Sequence, residues 1–154
     1  MLEIVPVREE PDLDEVRTLF REYADSLGVD LSFQDFEREY AGLPGEYVPP
    51  RGELLLGRWD GAAAGCVALR PLEREVCEMK RLYLRDAFRG RGIGRALADA
   101  TVAAARARGY ARMRLDSLPS MAAAITLYRA MGFREIAPYR TNPIAGTKFM
   151  ELEL

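Results

Sequence analysis

The segment of this chain best equipped for chemistry is Arg89-Gly90-Arg91-Gly92-Ile93-Gly94. Three glycines in five residues let a backbone turn tightly and approach a ligand, because no Cβ stands in the way. Behind it Ile93, Ala96, Leu97, Ala100, Ala104 and Ala107 recur at helical spacing, and Gly109 stops the run. A helix that starts at such a loop presents free N–H groups and its positive dipole end, a setting for phosphate. The chain contains no histidine. Proton transfer near neutral pH must therefore use a carboxylate, a tyrosine, a lysine or water. Ser–His and Cys–His hydrolase mechanisms are excluded.

Two rival glycine motifs fail on inspection. A dinucleotide fingerprint needs Gly or Ala three residues past the second glycine, and Arg95 and Leu97 stand at the two candidate positions. A Walker loop ends in Gly-Lys-Ser/Thr, whereas Gly94 is followed by Arg95-Ala96. What remains is R-x-x-G-x-G, on Arg89, Gly92 and Gly94, and farther on Ala124 to Phe133 (AITLYRAMGF). Together these resemble the acetyl-coenzyme A motif and the A-x-x-L-Y-x-x-x-G-F helix of the GNAT superfamily of N-acetyltransferases. The resemblance runs from about Glu53 to the C-terminus; the first fifty residues fit it in layout only.

The resemblance implies roles for particular residues. Backbone N–H groups of Gly90, Arg91, Gly92, Ile93, Gly94 and Arg95 would hold the pyrophosphate of acetyl-CoA, with Arg89, Arg91 and Arg95 adding charge. A solvated helix start is the alternative for these arginines. Leu82, Tyr83 and Leu84, on the strand before the loop, would offer main-chain groups to the pantetheine arm and the thioester. Tyr128 would be the general acid that protonates the departing thiolate. It also lies on a stripe with Met121, Ala124, Ile125 and Met131, so a core tyrosine is the competing reading. Glu78 stands eleven residues before Arg89, where histone-acetylating members carry their glutamate, and would serve as base. Strand parity equally allows Glu78 and Lys80 to form a surface ion pair. Many members have an asparagine seven residues before the tyrosine; here it is Met121, which puts that one coenzyme contact in doubt.

The acceptor would lie between the first two helices, the central strand and the loop near the C-terminus. Those parts supply Leu31, Phe33, Tyr47, Arg70, Arg81, Tyr139, Arg140 and Asn142. Phe33, Arg70, Arg81 and Tyr139 are the candidate acceptor contacts. Arg70 and Arg81 could clamp the carboxylate of an amino acid, or be ordinary strand residues. Glu46, Glu73, Glu75 and Glu78 could instead form an acidic pocket for a polyamine or an aminoglycoside. Protein N-termini and lysines also stay open.

The elements that must position these groups read as follows. Leu2 to Val7 alternates as a strand. Asp12, with Glu15 three residues on, caps a helix that Gly28 ends; Ser32, with Asp35, opens a second. Glu53 to Trp59 and Ala62 to Leu72 form a hairpin on Asp60-Gly61, and Glu75 to Leu84 extends the sheet. After the glycine loop and its helix come a strand at Arg112 to Asp116 and a helix from about Pro119 to Met131. Strands at Phe133 to Ile136 and Thr147 to Leu154 finish it. The fold expected is α+β, a mixed and largely antiparallel central sheet flanked by helices, in a single domain spanning residues 1–154.

With 154 residues, 49% apolar and 30% charged, the composition is that of a soluble globular protein. A net charge of −2 gives no basic field for nucleic acid. No apolar run reaches the ~20 residues needed to cross a bilayer, and MLEIVPVREE is neither a signal nor a transit peptide. Cys66 and Cys77 are too few for a disulfide framework or a zinc site and read as buried reduced thiols of a cytoplasmic protein, with no metal. The Ala and Met content of the last helix leaves room for a homodimer interface. The leading reading is transfer of acetyl from acetyl-CoA to a primary amine of a small molecule, an amino acid or a polyamine, by direct attack in a ternary complex. An acyl-CoA-binding sensor or partner subunit with little or no turnover is the alternative, and a general nucleotide-binding module is a third.

Overall fold

The computed structural model describes residues 1–28, 30 and 35–154. The expected opening of the second helix at Ser32 lies outside them, as do Leu31 and Phe33. The elements are β1 (Leu2–Pro6), α1 (Asp12–Leu27), α2 (Phe36–Ala41), β2 (Glu53–Trp59), β3 (Ala62–Glu73) and β4 (Val76–Leu84). A 3-10 turn at Asp86–Phe88 follows, then α3 (Ile93–Ala107), β5 (Arg112–Ser117), α4 (Ala122–Ala130), β6 (Arg134–Ile136) and β7 (Lys148–Glu153). The sheet runs β1-β2-β3-β4-β5-β7-β6. Every neighbouring pair is antiparallel except β4 with β5. The mixed, largely antiparallel α+β architecture expected from the sequence is therefore the one observed.

Alternation sorts the sheet's side chains between two cores. Leu55, Val67, Leu69, Cys77 and Met79 pack with Ile93, Leu97, Ala98, Val102 and Ala105 of α3 and with Tyr128 of α4. Leu54, Leu56, Cys66 and Ala68 face the other way, against Val16, Leu19 and Phe20 of α1 and Phe36 of α2. Burial of the larger apolar side chains among these, about 1.5–3 kcal/mol for each Val, Leu, Ile, Met or Phe, fixes the helices on opposite faces. Asp60 and Gly61 both have positive φ, 50° and 86°, as a tight hairpin turn requires.

Two expected helix starts differ. Asp12 does not cap α1; the Glu10 carboxylate accepts the Asp14 N–H at 2.9 Å instead. Asp12 and Glu15 are drawn away to the guanidinium of Arg58 on β2, which ties the helix to the sheet. The last helix starts at Ala122 rather than near Pro119. Among the described residues no helix is long and apolar enough to cross a membrane.

β4 carries the feature that shapes the site. Lys80 stands opposite Ala68 and Tyr83 opposite Cys66, so Arg81 and Leu82 together oppose Val67 in a bulge. Arg81 takes φ 59°, the left-handed region that costs a non-glycine residue about 1–3 kcal/mol. Its guanidinium is buried and grips Glu39 of α2 with two hydrogen bonds, at 2.9 and 3.0 Å. β4 then leaves β5: their ladder holds only from Val76 to Glu78.

Gly65 on β3 makes room for the bulge, since a Cβ there would stand 2.4 Å from the Tyr83 carbonyl. Gly65→Ala is expected to destabilise the fold by about 1–3 kcal/mol, read as a lower urea midpoint. An unchanged midpoint would show that the bulge is not held as described.

Candidate active site

The glycine loop has the geometry expected of an anion site. Gly90 and Gly92 take φ 80° and 75°, and Gly92 caps α3 with no side-chain hydrogen bond, leaving its first-turn N–H groups facing outward. Gly94 is more telling. Its backbone is ordinary helix and a Cβ there would meet nothing within 4 Å, so nothing within the chain calls for glycine. An empty cradle at a helix start is what a phosphate-bearing ligand needs. Arg89 is exposed and 3.0 Å from Asp86, Arg95 pairs with Asp99 at 3.1 Å, and Arg91 lies over Trp59 at 5.1 Å.

Where β4 and β5 part, a narrow cleft opens, walled by Lys80, Arg81 and Leu82 on one strand and Leu115 to Leu118 on the other. Leu82, Tyr83 and Leu84 lie beyond the end of the β4/β5 ladder, so β5 does not pair with their main chain. Tyr128 closes the cleft from α4 and is 5% exposed. Its hydroxyl makes no hydrogen bond among the described residues. Burial, with Tyr23 and Asp116 nearby, raises its pKa well above the ordinary tyrosine range, so it carries its proton near neutrality. Asp116, Ser117 and Asn142 also line this cleft, and their Oδ2, Oγ and Nδ2 atoms are buried without a partner among the described residues. A cleft edged by unspent polar groups is prepared for a polar ligand.

Glu78 is fully buried and fully engaged. One carboxylate oxygen accepts from Arg70 Nε at 2.9 Å; the other accepts from the Tyr139 hydroxyl at 2.6 Å and from Arg140. Burial alone would raise this carboxyl, but the Arg140 hydrogen bond, the charges of Lys80 and Arg140 and the Tyr139 hydrogen bond outweigh it and hold it at about 2. A carboxylate so weakly basic is a poor acceptor for an ammonium proton. The geometry instead makes Glu78 an anchor, which pins the C-terminal loop, through Tyr139 and Arg140, to β4 and β3. Nor does it form the surface ion pair with Lys80.

Beside this cluster lies a cavity of about 570 Å³ between α2, the loop after it and the sheet. Arg38, Arg70, Lys80 and Arg140 line it together with Asp35, Glu39 and Glu46. Arg70 remains at its wall, bound to Glu46 at 3.0 Å as well as to Glu78. Arg81 does not reach it as a partner for Arg70, because Glu39 holds its guanidinium. The acidic pocket is not assembled: Glu73 turns to Arg114, and Glu75 sits in the β3–β4 turn. Lys80, 9% exposed, lines both the cleft and the cavity. Asp116, Ser117, Lys80 and Glu39 escape sequence reasoning as site residues, since none belongs to a motif. Among the described residues no cluster of His, Cys, Asp and Glu could hold a metal ion, and Cys66 and Cys77 are buried free thiols.

Comparisons with known proteins agree with this geometry. The chain matches the model of the Acetyltransferase (GNAT) family over residues 13–133. It is 38% identical to an uncharacterized N-acetyltransferase of Schizosaccharomyces pombe, across 99% of this chain and 95% of that one. It is 29% identical to another from Dictyostelium discoideum, across 92% and 94%. In fold it is similar to a PaiA N-acetyltransferase of Thermoplasma acidophilum solved with coenzyme A, with TM-score 0.78, 20% identity and coverage of 100% and 99% of the two chains. A glycine loop at the head of α3, a split between parallel strands and a tyrosine at its floor thus accompany full-length sequence similarity, and the chain belongs to the GNAT family of acetyltransferases.

Proposed function

We propose that this enzyme transfers acetyl from acetyl-CoA to the primary amine of a small molecule that also bears a carboxylate, such as an amino acid, by direct attack in a ternary complex. The observation that carries the coenzyme half is Gly94, a glycine in regular helix with open space where its side chain would be. The α3 N–H groups and the exposed arginines suit the pyrophosphate, and the main chain of Leu82 to Leu84, open on the side away from β3, suits the amide-rich pantetheine arm. Acetyl-CoA supplies the activated thioester. Tyr128, protonated and without an internal partner, is placed to give its proton to the thiolate as it leaves.

The cavity favours an acid-bearing amine over a polyamine. Glu39 is spent on Arg81 and Glu78 on three donors, while Arg38 has no carboxylate within ion-pair distance among the described residues. The cavity lining carries Arg38, Arg70, Lys80 and Arg140 against Asp35, Glu39 and Glu46, a small excess of positive charge that favours a carboxylate over a polycation. Glu78 orients Arg70, Tyr139 and Arg140 around it.

Calorimetric titration with acetyl-CoA, then thiol release across an amine panel, tests the proposal: binding, and turnover on amino acids above polyamines, is expected. No binding would sink it. Gly94→Glu adds a favourable charge to the first turn of α3 yet fills the cradle. It is expected to keep or raise Tm while weakening acetyl-CoA at least about tenfold. Tyr128→Phe, which deletes no internal hydrogen bond, is expected to leave Tm and coenzyme affinity near wild type and lower kcat about 10²–10⁴-fold. Retained kcat would place the acid elsewhere. Arg38→Ala is expected to raise KM about tenfold for an amino acid and leave it unchanged for the corresponding amine without a carboxylate.

A further inference from the structure

We propose that Lys80, acting as a neutral amine, is the base that takes the proton from the acceptor's ammonium; this rests on the acetyl-transfer reading above and adds the group that reading lacks. Among the described residues Lys80 alone lines both the β4/β5 cleft and the cavity of about 570 Å³. It therefore stands between the space that suits the acceptor and the cleft that suits the thioester. Asp116 lines only the cleft, and Glu78 has both oxygens occupied.

The side chain is buried but not spent. Lys80 Nζ makes no hydrogen bond among the described residues. The one carboxylate within ion-pair distance is Glu39, at 4.0 Å, and that group already holds Arg81 at 2.9 and 3.0 Å. The choice of lysine is itself informative. The chain has two lysines, Lys80 and Lys148, and otherwise uses arginine as its cation. Arginine stays charged in any protein setting, whereas a buried lysine can give up its proton. Facing Lys80 are Glu78 and Arg81 on its own strand, Arg70 on β3, Glu39 on α2, Arg140 on the C-terminal loop, and Tyr128 and Asp116 across the cleft. Burial and the charge of Arg81, against the pull of Glu78 and Glu39 and with Arg70 adding to the repulsion, bring its pKa down to about 8. Roughly one molecule in ten then carries it neutral at pH 7.

The step balances. Lys80 Nζ accepts one proton from R–NH3⁺, and the lone pair so freed forms the C–N bond to the acetyl carbonyl carbon. Of the two protons left on nitrogen, one stays on the amide and the other leaves as the C–S bond breaks; the thiolate takes its proton from Tyr128, and the proton leaving nitrogen restores the Tyr128 hydroxyl through water. Lys80 returns its own proton to solvent through the cavity.

With two lysines, ¹³Cε-lysine NMR of the whole chain resolves Lys80 directly, and Lys148→Arg assigns the signal. Lys80 is expected to titrate near pH 8, and wild-type kcat/KM is expected to rise with pH through the same value. Lys80→Met and Lys80→Arg are both expected to fold, to bind acetyl-CoA as wild type does and to lose kcat about 10²–10⁴-fold, with that pH limb gone. Lys80→Arg is the decisive variant: it keeps the charge and cannot give up a proton, so wild-type kcat in it would reduce Lys80 to a charge for binding. A rise in KM alone in Lys80→Met, a Lys80 signal still charged at pH 10, or stable acetylation of Lys80 itself would each overturn the assignment. Absence of turnover on every amine would fail the acetyl-transfer reading, and the titration, which needs no substrate, tells that failure apart from a Lys80 that does not titrate.

Discussion

The bulge at Arg81 and Leu82 is the constraint on which the rest of the site depends. An unbroken β4 would continue to pair with β5, and the space between them would be filled by ladder hydrogen bonds. The ladder with β5 ends at Glu78, and one extra residue at Arg81 and Leu82 bends the strand beyond it, leaving its β5 side open at the cleft that Tyr128 closes. The left-handed backbone of Arg81 is unfavourable alone. It persists because the same residue is locked to Glu39 of α2, so the pair that holds the helix also holds the strand in its bent form. Gly65 completes the arrangement from β3, where any side chain would strike the displaced carbonyl of Tyr83.

Charge is distributed across the site with a consistent logic. Two carboxylates beside the site are consumed internally: Glu39 by Arg81, Glu78 by Arg70, Tyr139 and Arg140. Buried ion pairs of this kind contribute little net stability, since desolvation offsets their attraction, but they fix geometry. Here they fix the C-terminal loop against the central strands and leave Lys80 and Arg38 without a close partner. On the cleft side Asp116 Oδ2, Ser117 Oγ and Asn142 Nδ2 are unspent in the same way among the described residues. The residues left over, rather than those engaged, describe the ligands.

Much of this was legible in the chain. The Asp60-Gly61 hairpin, the alternation of β2 and β3 and the apolar stripe of α3 are local signals, and the glycine loop declares its own backbone. The order of elements follows from them, while the coenzyme side follows from the resemblance of that loop and of Ala124 to Phe133 to the GNAT motifs. What could not be read is what depends on distant partners. Glu78 as an isolated strand carboxylate looks like a base; only the arrival of Tyr139 and Arg140, some sixty positions later, shows it to be a loop anchor. Arg81 looks like a substrate clamp until its bulge and Glu39 are seen. Asp12 looks like a cap until Arg58 draws it away. A bulge on arginine leaves no trace in a sequence, because no propensity favours it there.

The most direct test of this site is a structure of the chain bound to coenzyme A. The pyrophosphate is expected on the N–H groups at the head of α3 and the sulfur between β4 and β5, within hydrogen-bond distance of the Tyr128 hydroxyl. A coenzyme that lies along the glycine loop but carries its sulfur outside that cleft would contradict it.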